Sequence, residues 1–113
     1  QVYTAIFNMG NRLCEDKAVL IDELGEELKK YDKRIVFIGD GSVLCYEKLC
    51  GIIQNCDIAD EEIRYVHGSS IGFVVEDKIK NGVEPIDSEN LVPFYLRLPQ
   101  AERELNNKNS LKK

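Results

Sequence analysis

The chain has 113 residues, room for one domain. Hydrophobic residues make up 43% and charged residues 31%, a globular rather than a disordered balance. Fifteen basic side chains against twenty acidic ones leave a net charge of −5, which disfavours direct binding to a phosphate backbone, and no apolar run approaches the ~20 residues of a membrane-spanning helix.

Val2 to Asn8 is rich in Val, Tyr, Ile and Phe and reads as a strand. It lacks the basic start and cleavage site of a signal peptide, and the chain does not open on Met. The expectation is a fragment of a longer protein, cut just before or inside a sheet. Asn8-Met9-Gly10-Asn11 supplies residues that tolerate positive φ, as a tight hairpin needs. Arg12 to Val19 is then the return strand.

Leu20, Leu24, Leu28 and Tyr31 fall on one helical face, with acidic residues early and lysines late to suit the helix dipole. Gly25 within that run costs up to ~1 kcal/mol relative to Ala. Arg34-Ile35-Val36-Phe37-Ile38 fits a strand covered on both faces, as in a parallel sheet. Gly39-Asp40-Gly41-Ser42 follows, with Ser42 a cap for a helix marked by Leu44, Cys45, Leu49 and Ile52. An acidic connector, Asp57 to Glu62, leads to a third short strand at Ile63-Arg64-Tyr65-Val66. Ser69 or Ser70 would cap a last helix marked by Ile71, Val74, Val75, Lys78 and Ile79, with Gly82 as its C′ residue.

Pro85, Pro93 and Pro99 punctuate the rest, with an extended segment from Leu91 to Leu98. Alternation there sets Phe94 and Leu96 to pack on the domain, with Arg97 held by a carboxylate or carbonyl. The order β, β, α, β, α, β, α is an α/β pattern: a mixed sheet with an antiparallel hairpin followed by α-β-α-β-α. Residues 1–99 form the folded unit, and 100–113 a polar tail with four basic and two acidic side chains.

Gly39, Asp40 and Gly41 are the best local candidate for a ligand site. Glycines at a strand end let backbone N–H groups approach a ligand, and the next helix N-terminus favours an anion. The complete G-x-x-x-x-G-K-S/T and G-x-G-x-x-G loops are absent, and a plain connecting turn is the competing reading. His67 beside Ser69 and Ser70 has no orienting third group, so cap and turn roles are expected. Asp57, Asp60, Glu61 and Glu62 lack the order of a calcium loop and read as a solvated acidic stretch. Cys14, Cys45, Cys50 and Cys56 include no C-x-x-C pair, and His67 is the one histidine. They read as buried free thiols without metal or disulfide. Taken alone, these residues name no enzyme.

Pro93-Phe94-Tyr95-Leu96-Arg97, soon followed by Ala101-Glu102, resembles the carboxyl terminus of the TsaB (YeaZ) family. Gln1-Val2-Tyr3-Thr4-Ala5 looks like that family's E-V-Y-x-A strand, and Phe37-Ile38-Gly39-Asp40-Gly41-Ser42 like its F-x-G-D-G-A turn. The three matches run in order over nearly the whole chain. The resemblance implies the second half of an actin-like, ribonuclease-H-like fold, without the family's first half and without the Asp-Ala-Arg strand that precedes E-V-Y-x-A. It implies a cytoplasmic, non-catalytic subunit in the making of threonylcarbamoyladenosine at position 37 of tRNA. The partners implied are a TsaD-like subunit that holds the metal and performs the transfer and a TsaE-like ATPase with its ATP; a homodimer is expected separately, from the gap that the missing strand leaves. No cofactor is implied in this chain, Gly39, Asp40 and Gly41 being a degenerate nucleotide turn. Pro93, Tyr95, Leu96 and Arg97 carry the family motif. The alternative is an ATPase or a metallopeptidase of the same fold, since such chains are also called M22 glycoproteases. The missing strand would lie between the hairpin and Ile35–Ile38. A gap is therefore expected there, closed by the hairpin itself or by strand addition from a second copy.

Overall fold

The computed structural model describes residues 1–97 of the chain. The opening hairpin forms as two short ladders. β1 (Val2–Thr4) pairs antiparallel with β4 (Lys17–Val19), and β2 (Phe7–Asn8) with β3 (Asn11–Arg12). Met9 and Gly10 make the turn at φ 50° and 82°, the doubly left-handed geometry that matches strand twist. Between the ladders Ala5 and Ile6 face the longer stretch Leu13–Asp16, so the hairpin bulges. The Ile6 N–H there donates to Cys14 Sγ at 3.3 Å, and the Leu13 N–H to the Ile6 carbonyl at 2.8 Å.

α1 (Ile21–Leu28) follows directly, its start held by the Glu23 carboxylate, which accepts the Leu20 N–H at 3.2 Å. Ile21, Leu24 and Leu28 are its buried stripe. β5 (Ile35–Phe37), α2 (Ser42–Leu49) and β6 (Cys56–Ile58) then form a strand–helix–strand unit with the strands parallel. The register sets Ile35 beside Cys56 and Phe37 beside Ile58. One core results, built from Ile21, Leu24, Leu28, Phe37, Cys45, Leu49 and Ile53, with Val2 and Val19 of the hairpin packed on it. Lys17 also ties the hairpin to α1, donating to Glu27 at 2.6 Å. That carboxylate raises the pKa of Lys17 above the ordinary lysine value, outweighing the opposite effect of burial.

Gly25 has a reason that helix propensity does not supply. A Cβ there would stand 2.8 Å from Cδ2 of Leu49, whose residue is 1% exposed. The missing methyl is what lets α1 and α2 approach.

Several expectations are corrected. The strands do not join in one mixed sheet: among the described residues there are three two-stranded sheets, β1-β4, β2-β3 and β5-β6. The third α/β strand is Cys56–Ile58, not Ile63–Val66. Residues Glu61–Arg64 form a short helix, α3, because Glu61 and Glu62 just after Asp60 suit a helix N-terminus. β5 is not covered on both faces: Phe37 is buried, while Val36 and Ile38 are exposed. Ser42 is the first helical residue rather than the cap, a role taken by Gly41. In α2 the buried apolar residues are Cys45 and Leu49, with Ile53 beyond, whereas Leu44 and Ile52 are exposed.

α4 (Gly68–Lys80) has His67 at its N-cap position in place of Ser69 or Ser70. It ends as its sequence predicts. Gly82 takes φ 84°, its N–H donates to the Ile79 carbonyl at 3.0 Å, and the Val83 N–H reaches the Lys78 carbonyl at 3.0 Å. This pairing satisfies two otherwise orphaned carbonyls. None of the α4 side chains is buried. The radius of gyration, 17.6 Å, exceeds the ~13 Å of a compact chain of about 100 residues.

Gly25→Ala should destabilise the protein, although the same change in an exposed helix stabilises it. Overpacking costs ~1–3 kcal/mol against a propensity gain of up to ~1 kcal/mol, so a net loss of up to ~2 kcal/mol, rather than a gain, is expected in denaturant unfolding.

Candidate functional site

The Gly39–Ser42 turn lies where the sequence puts it, between the carboxyl end of β5 and the start of α2. Gly39 sits at φ 98°, a conformation that side chains resist. Its N–H donates to the Arg64 carbonyl at 2.7 Å, and Arg64 Nε donates to the Ala59 carbonyl at 3.0 Å. The turn is thereby latched to α3. The open side of Gly41 faces Val2, whose Cγ1 would lie 3.5 Å from a Cβ there. Ser42 is 2% exposed and its Oγ has no hydrogen-bond partner among the described residues, while its N–H donates to the Gly39 carbonyl at 3.0 Å. Asp40 is exposed on the turn.

The acidic residues are dispersed. Asp57 pairs with Arg34, whose guanidinium, together with the Ile58 N–H, holds the carboxyl below the ordinary aspartate value. Asp60 stands at the N-cap position of α3, and Glu61 and Glu62 in its first turn. His67 Nε2 lies 3.2 Å from the Glu62 carbonyl, to which it can donate, and not against either serine. Of the thiols, Cys45 is buried and the other three are half-buried. Burial, and then a contact with Cys50, push the Cys56 thiol up to about 11. Burial raises Cys45 as well. These thiols are therefore weak nucleophiles near neutral pH.

Two open features lie beside the turn. One is a slot of about 200 Å3 between Thr4–Phe7 and Arg34–Ile38, floored by Leu24 and Leu28. It lies where the gap is expected, and the hairpin has not closed it: among the described residues β1 pairs with β4 alone and β5 with β6 alone. Ile35 and Phe37 use their backbone groups toward Asn55 and Ala59 on the β6 side, which leaves Val36 N–H and C=O on the slot edge. The other is an apolar groove of about 620 Å3 between the end of β5, α3 and α4. Sequence reasoning missed this groove. The one signal for it was that apolar residues of α4 spread beyond a single stripe, with Phe73 beside Val74 and Val75.

The chain is 28% identical over 107 residues to the tRNA threonylcarbamoyladenosine biosynthesis protein TsaB of Bacillus subtilis (strain 168). The match covers 90% of this chain and 44% of that protein, so the chain spans less than half the length of the curated relative it matches. No protein-family model matches the chain, and no solved structure does. The similarity supports a TsaB-like relationship.

Of the motif residues that first suggested it, Pro93, Tyr95 and Arg97 are exposed and Leu96 is half-buried. The expected packing of Phe94 does not occur: it is 80% exposed. Phe94–Arg97 instead face Tyr3 across a shallow pocket, and Arg97 has no ion-pair partner among the described residues. The remainder of the TsaB-like close, from Pro99 to Glu102, lies outside the described residues, as does the tail at 100–113.

Two measurements check this site. The Val36 amide should exchange with solvent much faster than those of Ile35 and Phe37, since its edge is unpaired; equal protection would mean the slot is closed. Alkylation of Cys56 in the native protein should stay slow near neutral pH and accelerate only as pH approaches about 11.

Proposed function

We propose that the protein takes part in making threonylcarbamoyladenosine in tRNA as a TsaB-type, non-catalytic scaffold. The similarity to TsaB along 90% of the chain carries this reading. In it a TsaD-like subunit, carrying the metal, transfers the threonylcarbamoyl group to adenosine 37. A TsaE-like ATPase completes the assembly, which is cytoplasmic. The chain's own chemistry supports a non-catalytic part. In its acidic connector Asp57 pairs with Arg34 and Asp60, Glu61 and Glu62 stand at the start of α3, and the thiols with raised pKa values stay protonated. Gly39, Asp40 and Gly41 then keep the form of a nucleotide turn while serving mainly as a joint, latched by Arg64 and covered by Val2. The slot beside β5 receives the Asp-Ala-Arg strand of the longer protein, which restores the actin-like sheet.

The reading is tested by reconstitution. Modification of tRNA at adenosine 37 by the partner subunits should fall to background without the complete protein and return when it is added. The protein alone should hydrolyse neither ATP nor peptide. Turnover of either by the protein alone would favour the ATPase or metallopeptidase reading. Unchanged tRNA modification in its absence would overturn the scaffold role.

A further inference from the structure

The pleat of β1 sets Val2 against the core and Tyr3 on the opposite side, 65% exposed. Across a shallow pocket of about 300 Å3, Tyr3 faces Phe94 and Tyr95, each 80% exposed, with Leu96 and Arg97 completing the walls. Such rings bring ~150–250 Å2 each. Gathered on one patch, they reach the few hundred Å2 of apolar surface that mark a contact site. Among the described residues the one charge at this pocket is the exposed cation of Arg97. The sequence continues in the same sense: the chain as a whole is acidic, whereas residues 98–113 carry four basic side chains against two acidic ones.

We propose that this patch is a stacking site for unpaired bases of a single-stranded RNA, with Arg97 taking a phosphate. Every base has a π face, so aromatic side chains beside a cation suit a nucleotide whatever its sequence. The acidity of the chain narrows the ligand further. A duplex presents a dense array of phosphates and keeps its bases stacked inside, so an acidic surface repels it and gains nothing in return. A single strand can splay its bases onto the rings and needs a cation only where its backbone touches. An apolar polypeptide would leave Arg97 and the cationic stretch after it without the counter-charge that RNA supplies. The site goes beyond the scaffold reading and rests on it only in taking tRNA as the natural source of the strand.

Fluorescence anisotropy tests it, with the complete natural polypeptide titrated into a labelled oligoadenylate of about 12 nucleotides and into an RNA duplex of the same length. Saturable binding of the single strand is expected, about tenfold tighter than that of the duplex. Phe94→Ala and Tyr95→Ala should each weaken it about tenfold, the loss of one stacked base. Tyr95→Phe keeps the ring and should bind like the wild type. Arg97→Ala should lower the slope of log K against log salt concentration by ~0.7, the share of one phosphate on a single strand. These side chains are exposed, so far-ultraviolet circular dichroism should not change. Equal affinity for the duplex, indifference to both alanine variants, or no binding of the single strand would overturn the proposal. Should the alanine variants lower tRNA modification in the reconstituted assembly while RNA is not bound, the patch receives a polypeptide. The stacking site then falls and the scaffold reading stands.

Discussion

The contact of Leu49 with Gly25 is the joint on which the packed part of the molecule depends. Leu49 fills the space that a side chain on Gly25 would take, and this brings the buried stripe of α1 onto α2 and β5. Every residue of the core cluster lies between Ile21 and Ile53. The hairpin is an attachment to that core, held by Val2 and Val19 and by the Lys17–Glu27 pair. Past Ala59 no described residue is buried.

This concentration of packing explains how the chain's polar resources are used. Residues that look like chemistry when read singly are occupied with local structure. Asp57 steadies β6 through Arg34, and Glu61 and Glu62 begin α3. Gly39 permits the turn and is bonded to Arg64. What remains open is backbone and hydrocarbon: a strand edge at Val36 and an apolar groove along α4. A strand edge and an apolar groove are both surfaces of the kind that recognise polypeptide.

Much of this was legible because local and tertiary demands agreed. The Asn-Met-Gly-Asn turn and the Gly82 stop carry their own geometry and form as expected, and of the leucine stripe of α1 Leu24 and Leu28 are buried while Leu20 stands exposed at the cap, its place taken by Ile21. The failures come where a distant partner decides. Cys56-Asp57-Ile58 has a charge at its centre and weak strand character, yet it pairs because β5 lies alongside. Ile63-Arg64-Tyr65-Val66 has the better strand composition and loses to the acidic residues before it, which favour a helix start. The one-sided burial of β5 was hidden for a similar reason, since an apolar run implies two covers but cannot say whether both are present. At the candidate site the turn was legible from Gly39, Asp40 and Gly41. The groove was not, because it exists only where α4 comes to rest beside α3.

The parallel pair β5-β6 is closed by a single intervening helix, and α1 immediately precedes it. The core is thus complete within one uninterrupted stretch of chain, ending at Ala59. Contacts so close in sequence form early, and folding during synthesis proceeds from the amino-terminal side. A growing chain can therefore finish this unit while α4 is still being made. α4 then emerges beside a body already folded, and its apolar side chains must find a cover in the crowded surroundings of the ribosome. Until they do, the exposed apolar side chains of α4 are the part of the molecule most open to non-specific association.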